Sequence, residues 1–139
     1  MGSYTFLDTD EILEKAVGMS IPDIFAAEGE EAFRDVEGQV LNSVYAYVRC
    51  VISTGGGIVC RRENWSKLQT GIVVWLDVEP NIIMQRIDGS NRPLLQTPDP
   101  FQTITNLLND RMELYKNADV RVRITDQNES EESVADRVV

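Results

Sequence analysis

The sequence contains no histidine, which excludes imidazole acid–base catalysis and histidine metal centres. Cysteine is scarce too. Cys50 and Cys60 lie on either side of Ser53-Thr54-Gly55-Gly56-Gly57 without metal-ligand spacing, so they read as two reduced, mostly buried thiols in a reducing compartment. Basic residues are few: 13 Lys and Arg stand against 23 Asp and Glu, a net charge of -10. Without clustered cations a general affinity for nucleic acid is not expected. A small anionic ligand remains compatible, because a few well-placed arginines make a local positive pocket on an acidic protein. No apolar run approaches the ~20 residues that span a bilayer. No signal or transit pattern is present, and the chain enters Tyr4-Thr5-Phe6-Leu7 almost at once. An organelle protein given without its targeting segment would read the same way.

What is present is a chain of 139 residues, 42% apolar, sufficient for one compact domain with its own core. Tyr4 to Leu7 reads as a short buried strand, followed by a helix from Glu11 to Val17 with Asp10 as its cap and Gly18 as its stop. Ser20-Ile21-Pro22-Asp23 opens a second helix with proline in the first turn. From Glu30 to Val48, Phe33, Val36, Val40, Val44 and Tyr47 recur at three- and four-residue steps and predict one apolar helical stripe. Cys50-Val51-Ile52-Ser53 is an apolar strand running into three glycines. A helix is predicted over Arg62 to Gln69. Ile72-Val73-Val74-Trp75-Leu76 lacks alternation, as expected for a parallel strand covered on both faces. Helices over Asn81 to Ile87 and Thr103 to Tyr115 flank a flexible loop, Gly89 to Pro100. Val120 to Ile124 alternates apolar and basic residues and reads as an outer strand, and Ser130 caps a last helix. Strand and helix alternate throughout, so the class is α/β with a parallel sheet. Ligands of such sheets bind at the carboxyl ends of the strands, where Asp8 and Asp10 and the segment Gly55 to Gly57 should line one crevice.

Taken singly, each polar candidate has an ordinary alternative. Asp8-x-Asp10 suits a turn and a cap, and Gly55-Gly56-Gly57 a flexible connection. Arg34, Arg92 before Pro93, and Arg111 near Glu113 suit solvated surface arginines. Together, the ordered series Phe6-Leu7-Asp8-Thr9-Asp10, Ile24-Phe25, Gly29-Glu30, Phe33-Arg34, Ser53-Thr54-Gly55-Gly56-Gly57, Arg92-Pro93-Leu94-Leu95, Arg111 and Tyr115 resembles the shikimate kinase family over nearly the whole chain. Asn64-Trp65 and Trp75-Leu76-Asp77-Val78 look most similar to plant, plastid-type members.

The resemblance implies a single three-layer α/β/α domain over residues 1–139, of the P-loop NTPase, nucleoside monophosphate kinase-like kind. It implies ATP-dependent phosphorylation of the shikimate 3-hydroxyl in aromatic amino acid (chorismate) biosynthesis, with ATP and Mg2+ as cofactors. Shikimate is the small-molecule partner, with no nucleic acid and no membrane, and the location is the chloroplast, otherwise the cytoplasm. Asp10 matches the carboxylate that contacts the shikimate hydroxyls and helps accept the proton. Asp8 matches the carboxylate near magnesium, acting through water. Arg34 and Arg111 match the two guanidinium groups that hold the shikimate carboxylate. Gly55, Gly56 and Gly57 match the loop between substrate and γ-phosphate. Arg92 matches the lid arginine over the transferring phosphoryl, and Arg86 a position against the adenine. A kinase for another small polyol, such as gluconate, would share the fold; the Arg34 and Arg111 pair favours shikimate.

One family element is missing. Phosphoryl transfer in this fold uses Gly-x-x-x-x-Gly-Lys-Ser/Thr, whose N–H groups and lysine cradle phosphates, and no such run occurs. Lys15, Lys67 and Lys116 stand outside any glycine-rich turn. The family places a strand and that loop before the segment beginning here at Tyr4, with the strand in the middle of a five-stranded sheet. The expectation is therefore a domain that lacks the first strand and P-loop, N-terminally incomplete and C-terminally truncated, and inactive as given. The alternative is a non-catalytic plastid relative with a binding or regulatory role.

Overall fold

The computed structural model describes residues 3–87 and 92–138. The chain divides into two compact units, Met1–Gly71 and Ile72–Val139. Each is built on a βαβ arrangement, with two parallel strands joined through helices. The α/β class with parallel strands is therefore as read from the sequence.

In the first unit, β1 (Thr5–Asp8) runs directly into α1 (Thr9–Val17). The cap is Asp8, not Asp10: its carboxylate accepts from the Asp10 N–H at 2.9 Å and the Glu11 N–H at 3.4 Å. Asp8 has the extended backbone that a capping residue needs, so helical geometry begins two residues earlier than expected. This leaves the Asp10 carboxylate clear of the capping role. Gly18 ends α1 in the left-handed region, and Ser20 caps α2 (Ile21–Val44) by accepting from the Asp23 N–H. Glu14 of α1 also accepts from the Ile21 N–H at 3.0 Å, which ties the two helices end to end.

Inside α2 the helix breaks at Gly29 (φ 87, ψ 176). That conformation is open to glycine and strained for other residues, and it turns the following stretch, with Phe33 and Arg34, away from the axis of Ile21–Glu28. Leu13 of α1 packs with Ile24, Phe33 and Val40 of α2 as one buried cluster, with the Phe25 and Phe33 rings 4.9 Å apart. The stripe stops at Val44. Tyr47 lies beyond the helix and is exposed, because the chain turns there to enter β2 (Cys50–Ser53).

β2 pairs in parallel with β1, from Thr5 opposite Cys50 to Asp8 opposite Ser53. β1 is not the buried strand expected: Phe6 is 64% exposed and its partner on β2, Val51, 56%. After β2 the three glycines do not form a slack connection. Gly56–Cys60 winds into a 3₁₀ turn, closed by the Ile58 N–H donating to the Gly55 carbonyl, and α3 (Arg62–Leu68) follows.

In the second unit β3 (Val74–Val78) pairs in parallel with β4 (Val120–Ile124), Val74 opposite Val120 through Val78 opposite Ile124. The strand starts at Val74, where pairing with β4 starts; Ile72 precedes it and is exposed. Alternation along β4 points Val122 and Ile124 into a core with Ile82 of α4 (Pro80–Arg86). It sends Arg121 the other way, to donate to Asp77 at 2.6 and 2.9 Å and to lie 4.5 Å from the Trp75 ring centre. α5 (Pro100–Tyr115) is capped by Asp99. The last helix, α6 (Glu131–Val138), follows Ser130, whose hydroxyl accepts from the Ser133 N–H. The loop expected over Gly89 to Pro100 contains a 3₁₀ turn, Pro93–Leu95; its residues 89–91 lie outside the described ones.

Candidate functional site

The parallel register brings the carboxyl ends of β1 and β2 side by side, and the candidates of the first unit gather there. A Cβ at Gly55 would stand 3.6 and 3.7 Å from the two Asp10 carboxylate oxygens and 3.5 Å from a Glu37 carboxylate oxygen. Asp10, Glu37 and the start of the glycine turn are therefore neighbours. Asp8 stands one residue before α1, with its carboxylate engaged in the cap.

Arg34 is the centre of this arrangement. It is 6% exposed, against the expectation of a solvated arginine, and Glu37, one helical turn on, is 1% exposed. The guanidinium donates from Nη1 to Glu37 at 3.0 Å and from Nη2 to Glu30 at 3.4 Å. Its Nε–H is buried without a hydrogen-bond partner. Gly57 lies flat against it: a methyl group there would overlap the guanidinium, well inside the 3.0 Å that real Cβ atoms respect. Absence of a side chain at this position is thus a packing requirement. A buried cation held by the buried Glu37 carboxylate keeps its orientation, because separating the pair would strand a charge in low dielectric.

Glu37 was missed in the sequence, although a signal exists. Positions 33, 37, 40 and 44 follow the helical repeat as closely as the apolar stripe does, so a glutamate among them is a charge on a buried face. Its natural partner is an arginine three residues earlier.

The turn after Gly57 is held from two sides. Asn64 of α3, 2% exposed, donates its side-chain amide to the Ile58 carbonyl at 3.0 Å, and the Trp65 indole N–H donates to the Val59 carbonyl at 3.2 Å. Arg61 reaches back to α2, pairing with Asp35, the Glu31 carboxylate at 3.0 Å and the Glu31 carbonyl at 3.2 Å. The Asp35 hydrogen bond raises the Arg61 pKa above its ordinary value, so this tie is cationic throughout the working pH range.

The remaining candidates lie in the second unit. Arg86, in the last turn of α4, donates to the carbonyls of Gln127 and Glu129 at 3.5 and 3.4 Å. Arg92 is exposed and accepts, through its carbonyl, the Leu95 N–H of the 3₁₀ turn. Arg111 is half-buried on α5. Among the described residues no group of three or more Cys, Asp or Glu could hold a metal ion, and no helix is long and apolar enough to cross a membrane.

Comparison with known proteins matches residues 1–139 to the family model described as shikimate kinase. The shikimate kinase of Synechococcus elongatus is 51% identical over 122 residues, 87% of this chain and 64% of that protein. That of Trichormus variabilis is 44% identical over 137 residues, 98% of this chain and 75% of the relative. The chain thus spans 64% of the length of the first of these relatives. Among solved structures, shikimate kinase from Acinetobacter baumannii in complex with shikimate superposes with a TM-score of 0.86 at 36% identity, covering 96% of this chain and 74% of that one. The Bacteroides thetaiotaomicron shikimate kinase gives 0.82 at 28% identity, over 97% and 80%. Matched along its whole length and half identical to a cyanobacterial member, the chain belongs to the shikimate kinase family.

Proposed function

We propose that the first unit is an acceptor-binding site for shikimate, in a chain of the lineage that phosphorylates the shikimate 3-hydroxyl at the expense of ATP. The observation that carries this reading is the Arg34 guanidinium, buried and clamped by Glu37 against Gly57. A ligand carboxylate taken side-on by Nε and Nη2 would satisfy the buried Nε–H, and the planar fork matches the two carboxylate oxygens. Asp10, released from capping and adjacent to Gly55, is placed to accept hydrogen bonds from ligand hydroxyls and to take the proton of the attacking one. The turn through Gly55, Gly56 and Gly57 lets a reacting group approach main chain unobstructed by side chains. The roles of Arg111 at the carboxylate, Arg92 as lid arginine, Arg86 beside adenine and Asp8 near magnesium rest on sequence register with the family. Residues 1–139 are proposed as one shikimate kinase-like domain.

ATP and magnesium are a different matter, because the residues present do not fit them. No phosphate-cradling loop occurs in the sequence. Lys15 and Lys67 end helices, and Lys116 pairs with Glu113 at 3.0 Å. The Asp8 carboxylate is engaged in capping, and the described residues offer no metal-holding cluster. No phosphoryl step follows from residues 1–139 alone. The alternative reading is a non-catalytic member with a binding or regulatory role. The plastid-type lineage and chloroplast location rest on the sequence resemblance, while the relatives compared are cyanobacterial; a fluorescent fusion of the gene product that stays outside chloroplasts would remove that part.

Calorimetric titration with shikimate and, separately, with ATP-magnesium tests the proposal. Shikimate binding without ATP binding is the expected result. Failure to bind shikimate overturns the acceptor site, and tight ATP binding overturns the reading of the absent loop. Turnover in a coupled ADP assay would eliminate the non-catalytic alternative.

A further inference from the structure

We propose that Asn64 is a positioning residue of the acceptor site, fixing the glycine turn at the height at which Gly57 seats the Arg34 guanidinium. The inference rests on the reading of that site as a carboxylate-binding one. Asn64 is 2% exposed and lies between two elements of the site. Its Nδ2 donates to the Ile58 carbonyl at 3.0 Å, and its Oδ1 lies 3.5 Å from where a Cβ on Gly38 of α2 would stand. Gly38 directly follows Glu37, the residue that clamps Arg34.

The carboxamide therefore spaces the glycine turn from the helix that carries the guanidinium. A buried asparagine bonding a carbonyl is often fold glue and nothing more. Here the bonded carbonyl belongs to the residue immediately after Gly57, where the clearance to Arg34 does not admit even a methyl group. With no slack at that contact, a displacement of the turn becomes a displacement of the guanidinium, and placement errors of about 1 Å at a site cost up to ~10²-fold. Trp65 holds the next carbonyl, that of Val59, but it is half-buried and one residue further from the contact. Asn64 is the closer restraint.

The test is Asn64→Asp, which keeps the shape, removes the donor and sets a carboxylate against the Ile58 carbonyl. Shikimate affinity of the 139-residue chain is measured by NMR titration, beside an analogue whose carboxylate is replaced by hydroxymethyl. The expected result is about tenfold weaker shikimate binding, little change for the analogue, and shifted Gly56 and Gly57 amide resonances. In an Arg34→Lys background Asn64→Asp should bring no further loss, because its effect runs through the guanidinium. Equal weakening of both ligands, a fully additive loss in that background, or affinity within about twofold of the parent each overturns the inference. If Asn64→Asp does not fold, Asn64→Ser is read by the same ratios. A parent chain that binds no shikimate overturns the acceptor reading itself, and the inference with it. The two failures are distinguishable, because only the second appears before any substitution is made.

Discussion

Replacing Gly57 with alanine tests the packing on which the acceptor site depends. The added methyl falls inside the 3.0 Å limit from the Arg34 guanidinium, so turn or guanidinium must withdraw by about 1 Å to restore ordinary contact. The flexible arginine would yield easily on a surface. Here it is 6% exposed and bonded to Glu37 at 3.0 Å, and a further ångström breaks that hydrogen bond. A charge-assisted bond contributes roughly 1.5–3 kcal/mol and overpacking costs about 1–3 kcal/mol. Because relaxation relieves one at the expense of the other, a loss of about 2–3 kcal/mol is expected.

Urea unfolding followed by Trp65 fluorescence in a Trp75→Phe background reports on the first unit, and this loss corresponds to a midpoint lowered by roughly 1 M. Shikimate affinity should fall about tenfold or more as the fork is displaced. Arg34→Lys, slimmer at its head, should recover much of the stability of Gly57→Ala but none of the affinity, since an ammonium lacks the fork. Gly57→Ala unfolding at the parent midpoint and binding shikimate equally well would refute the contact.

Other expectations follow from the same geometry. Glu37→Leu leaves the buried Arg34 cation without its nearest partner and should destabilise the chain by about 3–5 kcal/mol; a loss under about 1 kcal/mol in urea unfolding would mean that the pair is not buried in solution. In a version carrying a phosphate loop, Asp10→Asn should lower turnover by about 10²–10⁴-fold with ATP affinity retained, and equal loss of both would sink the assigned role. Ile124→Ala, in the core of the second unit at 2% exposure, should destabilise by about 2–5 kcal/mol without altering shikimate affinity.

Much of the architecture was legible because local chemistry and tertiary outcome agree. Gly18, Ser20 and Pro22 set helix limits through backbone geometry, which depends little on distant contacts. The apolar strand at Cys50–Ser53 and the alternating strand at Val120–Ile124 fall where their patterns place them. The errors sit where two local choices compete. Asp8 and Asp10 are both capping residues by type, and β1, running to Asp8 rather than Leu7, selects Asp8. Arg34 and Glu37 were opaque for another reason. Arginine and glutamate carry a surface expectation that only the pairing of the two reverses. The glycine turn was legible as a site and not as a shape, because its 3₁₀ winding depends on side-chain N–H donors of Asn64 and Trp65 that arrive from the next helix.

The two-stranded sheets have a consequence for how this chain behaves at high concentration. Among the described residues each strand has one sheet neighbour, so every strand is an edge, and Phe6, Val51 and Leu76 present apolar side chains to solvent on them. Edges of this kind recruit further strands. The short lengths of β1 and β2, four residues each, limit how far such pairing extends. The expected outcome is reversible self-association that grows with concentration in sedimentation velocity and is relieved by Phe6→Lys; a chain that stays monomeric at all concentrations would refute it.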